Sequence, residues 1–177
     1  MHRLFVAIRP PEPIRDVLID AMDDSPELGW VKDDNLHLTL RFIGEVERPL
    51  GDDLATALGR IRAAPFALSL AGIGRFDRRH GGAVWAAVEP RQAVAALAAK
   101  VERACVSAGL EPERRTFHPH ITIARWNRRS AAFADALVAR NRGLTSDPFE
   151  VTQFILYESR LSRHGACYEE VMRYPLK

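Results

Sequence analysis

Strand-like alternation and helix-like spacing take turns along the chain. Arg3 to Ile8 is an apolar run of strand length. Prolines then open a helix near Pro13 to Met22, with Ile14, Val17, Leu18 and Ala21 on one face. Leu36 to Val46 alternates with period two and predicts a strand, Leu50 to Ile61 has helical spacing, and Phe66 to Phe76 returns to strand. The same order then recurs. Ala83 to Glu89 reads as a strand, and Arg91 to Ala108 as a helix with Val94, Leu97, Val101 and Cys105 on its stripe, stopped by Gly109. Ile121 to Arg125 is a strand, Ala131 to Arg140 a helix, Phe149 to Leu161 a strand, and Tyr168 to Tyr174 a last strand.

The recurrence has a fixed length. Pro65-Phe66 begins 28 residues after His37, and Pro148-Phe149 begins 28 residues after His120. Each half therefore reads strand, helix, His-bearing strand, helix, strand. Neither half alone would comfortably bury both faces of its sheet. The expected fold is α+β, one bilobal domain over 1–177 with pseudo-symmetric lobes built from repeats at about 1–77 and 83–177. Each lobe should carry an antiparallel-type sheet with helices outside, leaving a groove between them. Arg78 to Gly82 is the expected crossover loop.

Two segments carry the chemistry, Leu36-His37-Leu38-Thr39-Leu40 and His120-Ile121-Thr122-Ile123. Strand residues two apart point the same way, so His37 and Thr39 share a face while Leu38 and Leu40 face a core. His120 and Thr122 do the same, each imidazole lying roughly 7 Å from its hydroxyl. Random order would give only about 0.2 such His-x-Thr triplets, so two at equivalent places in a repeat argue for function. Two histidines suit in-line displacement at phosphorus: a neutral imidazole takes a proton from water, and a protonated one gives a proton to the departing oxygen. The threonine hydroxyls can hydrogen-bond the non-bridging oxygens as charge grows there. Arg41 has the parity of the His37 face. Arg125 falls on the opposite face from His120, and reaches the site only if the strand ends or bulges after Ile123.

Composition adds limits. A 47% hydrophobic, 27% charged chain is ordinary for a globular protein, and a net charge of +2 does not announce nucleic-acid binding. Only Lys32, Lys100 and Lys177 are lysines; the arginine excess suits phosphate, though a GC-rich genome explains it as well. The first apolar run is too short for a secretory signal, and no stretch has the length of a membrane span, so a cytoplasmic protein is expected. Cys105 and Cys167 make no disulfide framework, and Cys105 is expected buried and free. His118-Pro119-His120 lacks the acidic or Cys partners of a zinc site, so no metal or other cofactor is expected. Gly72-Ile73-Gly74 lacks the lysine and Ser/Thr of a phosphate loop and reads as a strand irregularity. Arg75, Arg78, Arg79 and His80 form a basic loop, solvated or touching RNA backbone. Trp30 and Trp126 could stack a base, whereas Trp85, inside a strand, is expected in the core.

These motifs resemble those of the two-histidine phosphoesterases, specifically the bacterial and archaeal RNA 2′,3′-cyclic phosphodiesterases, also called 2′-5′ RNA ligases. The resemblance runs through Arg3-Leu4-Phe5-Val6-Ala7-Ile8, Asn35 to Val46, Pro119 to Arg125 and Leu156-Tyr157-Glu158-Ser159-Arg160-Leu161. It implies a central groove, RNA with a 2′,3′-cyclic phosphate terminus as substrate (tRNA halves or small cyclic nucleotides among the options), and a 2′-phosphate product. It also implies that His37 protonates the leaving 3′ oxygen, that His120 is the base for water, and that Arg125 lies near the phosphate. A monomer is expected. The chain departs from the family at Asp33 and Asp77, where proline is common, and at His118, where threonine is common. The alternatives are reversible 2′-5′ RNA joining, a cyclic phosphodiesterase on small nucleotides, and RNA-end binding without catalysis. The sequence does not order the two histidine roles.

Overall fold

In the computed structural model, which describes residues 1–177, the first strand, β1 (His2–Ile8), is buried at every position from Leu4 to Ile8. An unbroken apolar run means a strand covered on both faces. Its even residues Leu4, Val6 and Ile8 enter the main core of 33 buried residues, while Phe5 and Ala7 join Ile155 and Tyr157 in a small cluster on the opposite face. The two faces of the sheet are therefore distinguishable by parity: one carries the helices, the other the small cluster.

The chain continues through α1 (Glu12–Asp20), β2 (Gly29–Trp30), β3 (Leu38–Val46), α2 (Arg48–Leu58), β4 (Phe66–Arg78) and β5 (Gly81–Glu89). Then come α3 (Arg91–Ser107), β6 (His120–Asn127), α4 (Ala131–Arg140), β7 (Phe149–Val151), β8 (Gln153–Ser162) and β9 (Gly165–Pro175). Four helices and one nine-stranded antiparallel sheet, ordered β7-β4-β5-β6-β3-β1-β8-β9 with β2 beside β6, make the expected α+β class. Pro13 and Pro49 sit in the first turns of α1 and α2, where no backbone N–H is missed. α3 buries Val94, Leu97, Ala98, Val101 and Cys105, the stripe its spacing predicts. It ends where Gly109 takes φ +118° and Leu110 N–H reaches back to the Cys105 carbonyl at 3.1 Å. No helix is long and apolar enough to cross a membrane.

The sequence repeat is exchanged in space. β4, the last strand of the first repeat, pairs with β5 and β7, and β8, from the second, pairs with β1 and β9. The reason is local: the β4–β5 hairpin turns tightly at Arg79-His80, so what reads as a crossover loop joins neighbouring strands. The single strand expected over Phe149 to Leu161 is two, broken at Thr152, because the chain changes partner from β4 to β1 there. The glycines of Gly72-Ile73-Gly74 do mark an irregularity, a register shift between Leu70 and Ile73. β2 was not legible, being two residues long.

Candidate active site

The two motif strands meet. β3 and β6 are bridged at Leu38 and Ile121, antiparallel. Extending that register one residue each way sets His37 across from Thr122 and Thr39 across from His120. Leu38 and Ile121 are buried in the main core, which turns the four polar side chains to the opposite face. His37 itself lies one residue before β3, not inside it as the alternation suggests.

The loop that carries His37 is held from several directions. Arg9 donates to the carbonyls of Asp33 and Leu36 at 2.7 and 2.8 Å, and the Asn35 amide donates to the Ala166 carbonyl at 2.9 Å. Each imidazole is then oriented in the same way. His37 Nδ1 meets the carbonyl of Asn35 at 2.6 Å, and His120 Nδ1 meets the carbonyl of His118 at 2.6 Å. A carbonyl can only accept, so Nδ1 must carry the hydrogen, and the neutral ring keeps its lone pair on Nε2. Both rings also pack on aromatics: His37 on Phe5 and Tyr168 at 5.0 and 5.3 Å, His120 on Phe76 and Trp85 at 4.9 and 6.1 Å.

That packing sets the electrostatics. Burial pushes the His37 imidazole down to about 4, opposed by the Asn35 hydrogen bond and assisted by the charges of Arg125, His120 and Arg9. His120 is lowered too, by burial first and then by repulsion from Arg125, Arg78 and any proton on His118, against the bond to the His118 carbonyl. Both rings are thus biased toward the neutral form in the free site.

The two arginines exchange places relative to their parity. Opposite Ala7 stands Thr39, but opposite Val6 stands Arg41, so Leu40 is an extra residue in β3. Thr39 thus shares the face of Ala7 and the small cluster, whereas Arg41 shares the face of Val6 and the helices. There it donates to Glu102 of α3 at 2.5 Å and to the carbonyls of Phe42 and Glu111 at 2.6 and 2.8 Å, with its side chain only 9% exposed. The expectation that Arg41 stands on the His37 face is corrected: the bulge turns it away. β6 bulges at the equivalent residue. Trp85 faces Thr122 but Val84 faces Ala124, so Ile123 is extra. Arg125 then pairs with Ala83, on the same side of β5 as Trp85 opposite Thr122 and Ala87 opposite His120. The structure brings His37, His120, Thr39, Thr122 and Arg125 to one face and leaves Arg41 out.

Arg41→Met should therefore lower stability and spare catalysis. It strands the Glu102 carboxylate and two carbonyls, a loss of about 1–3 kcal/mol. Urea unfolding beside steady-state kinetics checks this; unchanged stability with a raised KM would return Arg41 to the site.

Several site residues escaped the sequence reading. Trp85 is half-buried, not core; its indole lies across Gly74, where a Cβ would come within 2.6 Å of the ring, and it packs on His118 at 4.8 Å. Phe5 and Tyr168 wall His37, and Asn35 ties its loop to β9. The signal for Phe5 was parity, since it alternates with Leu4 and Val6. Nothing in sequence brings Tyr168 to His37. No three or more His, Cys, Asp or Glu side chains converge to hold a metal ion.

Two His-Thr pairs on neighbouring strands, with each ring's Nε2 left free, suit the chemistry of a two-histidine phosphoesterase. The comparisons agree. The model of the 2′-5′ RNA ligase superfamily matches residues 10–163, and the chain belongs to that superfamily. A protein of Aeropyrum pernix named RNA 2′,3′-cyclic phosphodiesterase is 36% identical over 148 residues, 78% of this chain and 81% of that one. One of the same name from Geobacillus stearothermophilus is 35% identical over 161 residues, 89% of this chain; the chain spans about half the length of that relative, 50%. The crystal structure of Escherichia coli LigT complexed with 3′-AMP superposes with a TM-score of 0.84 at 33% identity, covering 99% of this chain and 98% of that one.

Proposed function

We propose that the protein opens 2′,3′-cyclic phosphates at RNA ends, leaving a 2′-phosphate, by acid–base catalysis without a metal. The observation that carries this is the matched pair of imidazoles, each with Nδ1 committed to a carbonyl two residues earlier and Nε2 left free, on a sheet face shared with Thr39, Thr122 and Arg125. The names of the relatives supply the substrate class.

In the reaction the oxygen of water forms a bond to phosphorus as the bond to O3′ breaks. His120 Nε2 takes the water proton, and protonated His37 Nε2–H gives its proton to O3′; solvent later exchanges the two rings back. These roles follow the family resemblance. Thr39 and Thr122 donate to the non-bridging oxygens, and Arg125 faces their charge. A proton on His37 is disfavoured in the empty site, so the anionic phosphate itself must draw it on. The same ring opening with the 5′-hydroxyl of a second RNA in place of water, its oxygen bonding to phosphorus as O3′ leaves, would join ends 2′-5′, which the superfamily's description favours as a second activity.

The deciding experiment is incubation of an RNA oligomer bearing a 2′,3′-cyclic phosphate with the protein in EDTA, and identification of the product isomer. A 2′-phosphate is expected. Loss of activity on chelation, restored by a divalent ion, would refute the metal-free mechanism.

The lowered histidines predict how rate follows pH. The free enzyme governs kcat/KM, so its bell should peak below pH 6.5, both limbs belonging to the coupled pair. Bound phosphate stabilises imidazolium, so the bell for kcat should lie at higher pH than that for kcat/KM. Coincident bells centred above pH 6.5 would contradict the buried, neutral resting pair.

A further inference from the structure

Beyond the histidines, the β4–β5 hairpin and the end of β6 border an open cleft of about 400 Å³. It is lined by Arg78, Arg79, His80, Arg125 and Trp126 with the Gly81-Gly82 backbone, and no carboxylate lines it. None of these three guanidiniums takes part in an ion pair. Asp77, next in the chain, and Asp135 of α4 are both engaged by Arg75, whose guanidinium lies 5.0 Å over the Trp126 ring. The hairpin is built to stay close to β6. Arg128 donates twice to the Arg79 carbonyl, at 3.1 and 2.9 Å, and a Cβ on Gly81 would come within 2.1 Å of the Trp126 carbonyl.

Three unpaired guanidiniums around one opening repel each other, and an anion between them relieves that repulsion. Their planar forks match phosphate oxygens. The cleft is also continuous with the reacting centre. Arg125 belongs to both, since it lines the cleft and shares the face of His120 and Thr122. An RNA strand places further phosphates at regular spacing from its end, whereas a nucleoside 2′,3′-cyclic phosphate has only the reacting one. We infer that the cleft is a second phosphate subsite, holding the phosphodiester next to the reacting end, so that the enzyme selects the end of an RNA strand over a cyclic mononucleotide. This rests on the phosphodiesterase reading above.

The test uses Arg79→Ala and Arg79→Gln, at a residue outside the charges that act on His120, with a short RNA ending in a cyclic phosphate and the matching cyclic mononucleotide. Each variant should raise KM for the RNA roughly tenfold, leave its kcat alone, and leave the mononucleotide unchanged. The slope of log kcat/KM against log salt for the RNA should become shallower by about 0.7 per lost contact. Equal losses on both substrates would reduce the arginines to a general field, and no loss on either would make the hairpin a solvated loop; either outcome overturns the inference. A binding arm keeps it separable from catalysis. Titration with a 3′-phosphate-ended RNA and with a nucleoside 3′-monophosphate needs no turnover, and the variants should weaken only the former. That contrast in a protein that opens no cyclic phosphate would sink the catalytic reading and leave the subsite; its absence in an active enzyme would do the reverse.

Discussion

His37→Ala and His120→Ala should each lower kcat for opening the cyclic phosphate roughly a thousandfold, with the fold retained by circular dichroism. The expectation comes from how completely the structure commits these rings. Each Nδ1 is spent on a carbonyl, so only Nε2 remains for chemistry, and no other imidazole is oriented on that face in the same way. The double variant should be little worse than either single one, because an acid and a base that act in one displacement are not additive. Roles are separated with a phosphodiester whose leaving group is a nitrophenolate, which departs without a proton. The variant lacking the acid should recover most of its rate there, and His37→Ala is expected to be that variant. Recovery by His120→Ala instead reverses the assignment. Near-wild-type rates in both single variants would remove the histidines from the chemistry.

The sequence displayed the site's polar residues more clearly than their supports. Alternation in Leu36-His37-Leu38-Thr39-Leu40 and His120-Ile121-Thr122-Ile123 sufficed to place a His and a Thr on one face twice, because the apolar residues between them must be buried. The shared spacing of 28 residues from each motif His to a Pro-Phe put the two motifs at equivalent places. It could not show that β4 and β8 change sides, since pairing partners are decided by turn geometry and not by period. The bulges divide the arginines most sharply. In β6 the adjacent Ile123 and Ala124 are both buried, and two consecutive buried residues are what a bulge leaves in sequence. In β3 the run Leu40-Arg41-Phe42 alternates without a flaw, and the bulge at Leu40 is invisible because the inward residue is an arginine. The Glu102 carboxylate of α3, 61 residues away in the chain, together with the Phe42 and Glu111 carbonyls, makes that position tolerable.

Arg125→Ala is the second large effect expected. A guanidinium on the histidine face, free of any ion pair, is placed to meet charge as it builds on the non-bridging oxygens, and losing such a donor costs roughly a hundredfold or more in kcat. A rate loss alone could come from a disturbed strand, so the pH profile has to move as well. Arg125 contributes to lowering both histidines, and its removal should let imidazolium form more readily, shifting the kcat/KM bell to higher pH. Arg125→Lys separates charge from geometry. It keeps the positive charge, so the bell should stay where it is in the wild type, but it lacks the planar fork, so the rate should fall between the two. The bulge at Ile123 is what makes this testable. With strict alternation Arg125 would lie on the helix side, like Arg41, and its removal would lower stability while leaving the pH profile in place. An Arg125→Ala protein that unfolds earlier in urea but keeps its bell and its kcat would show that the residue belongs to that side after all.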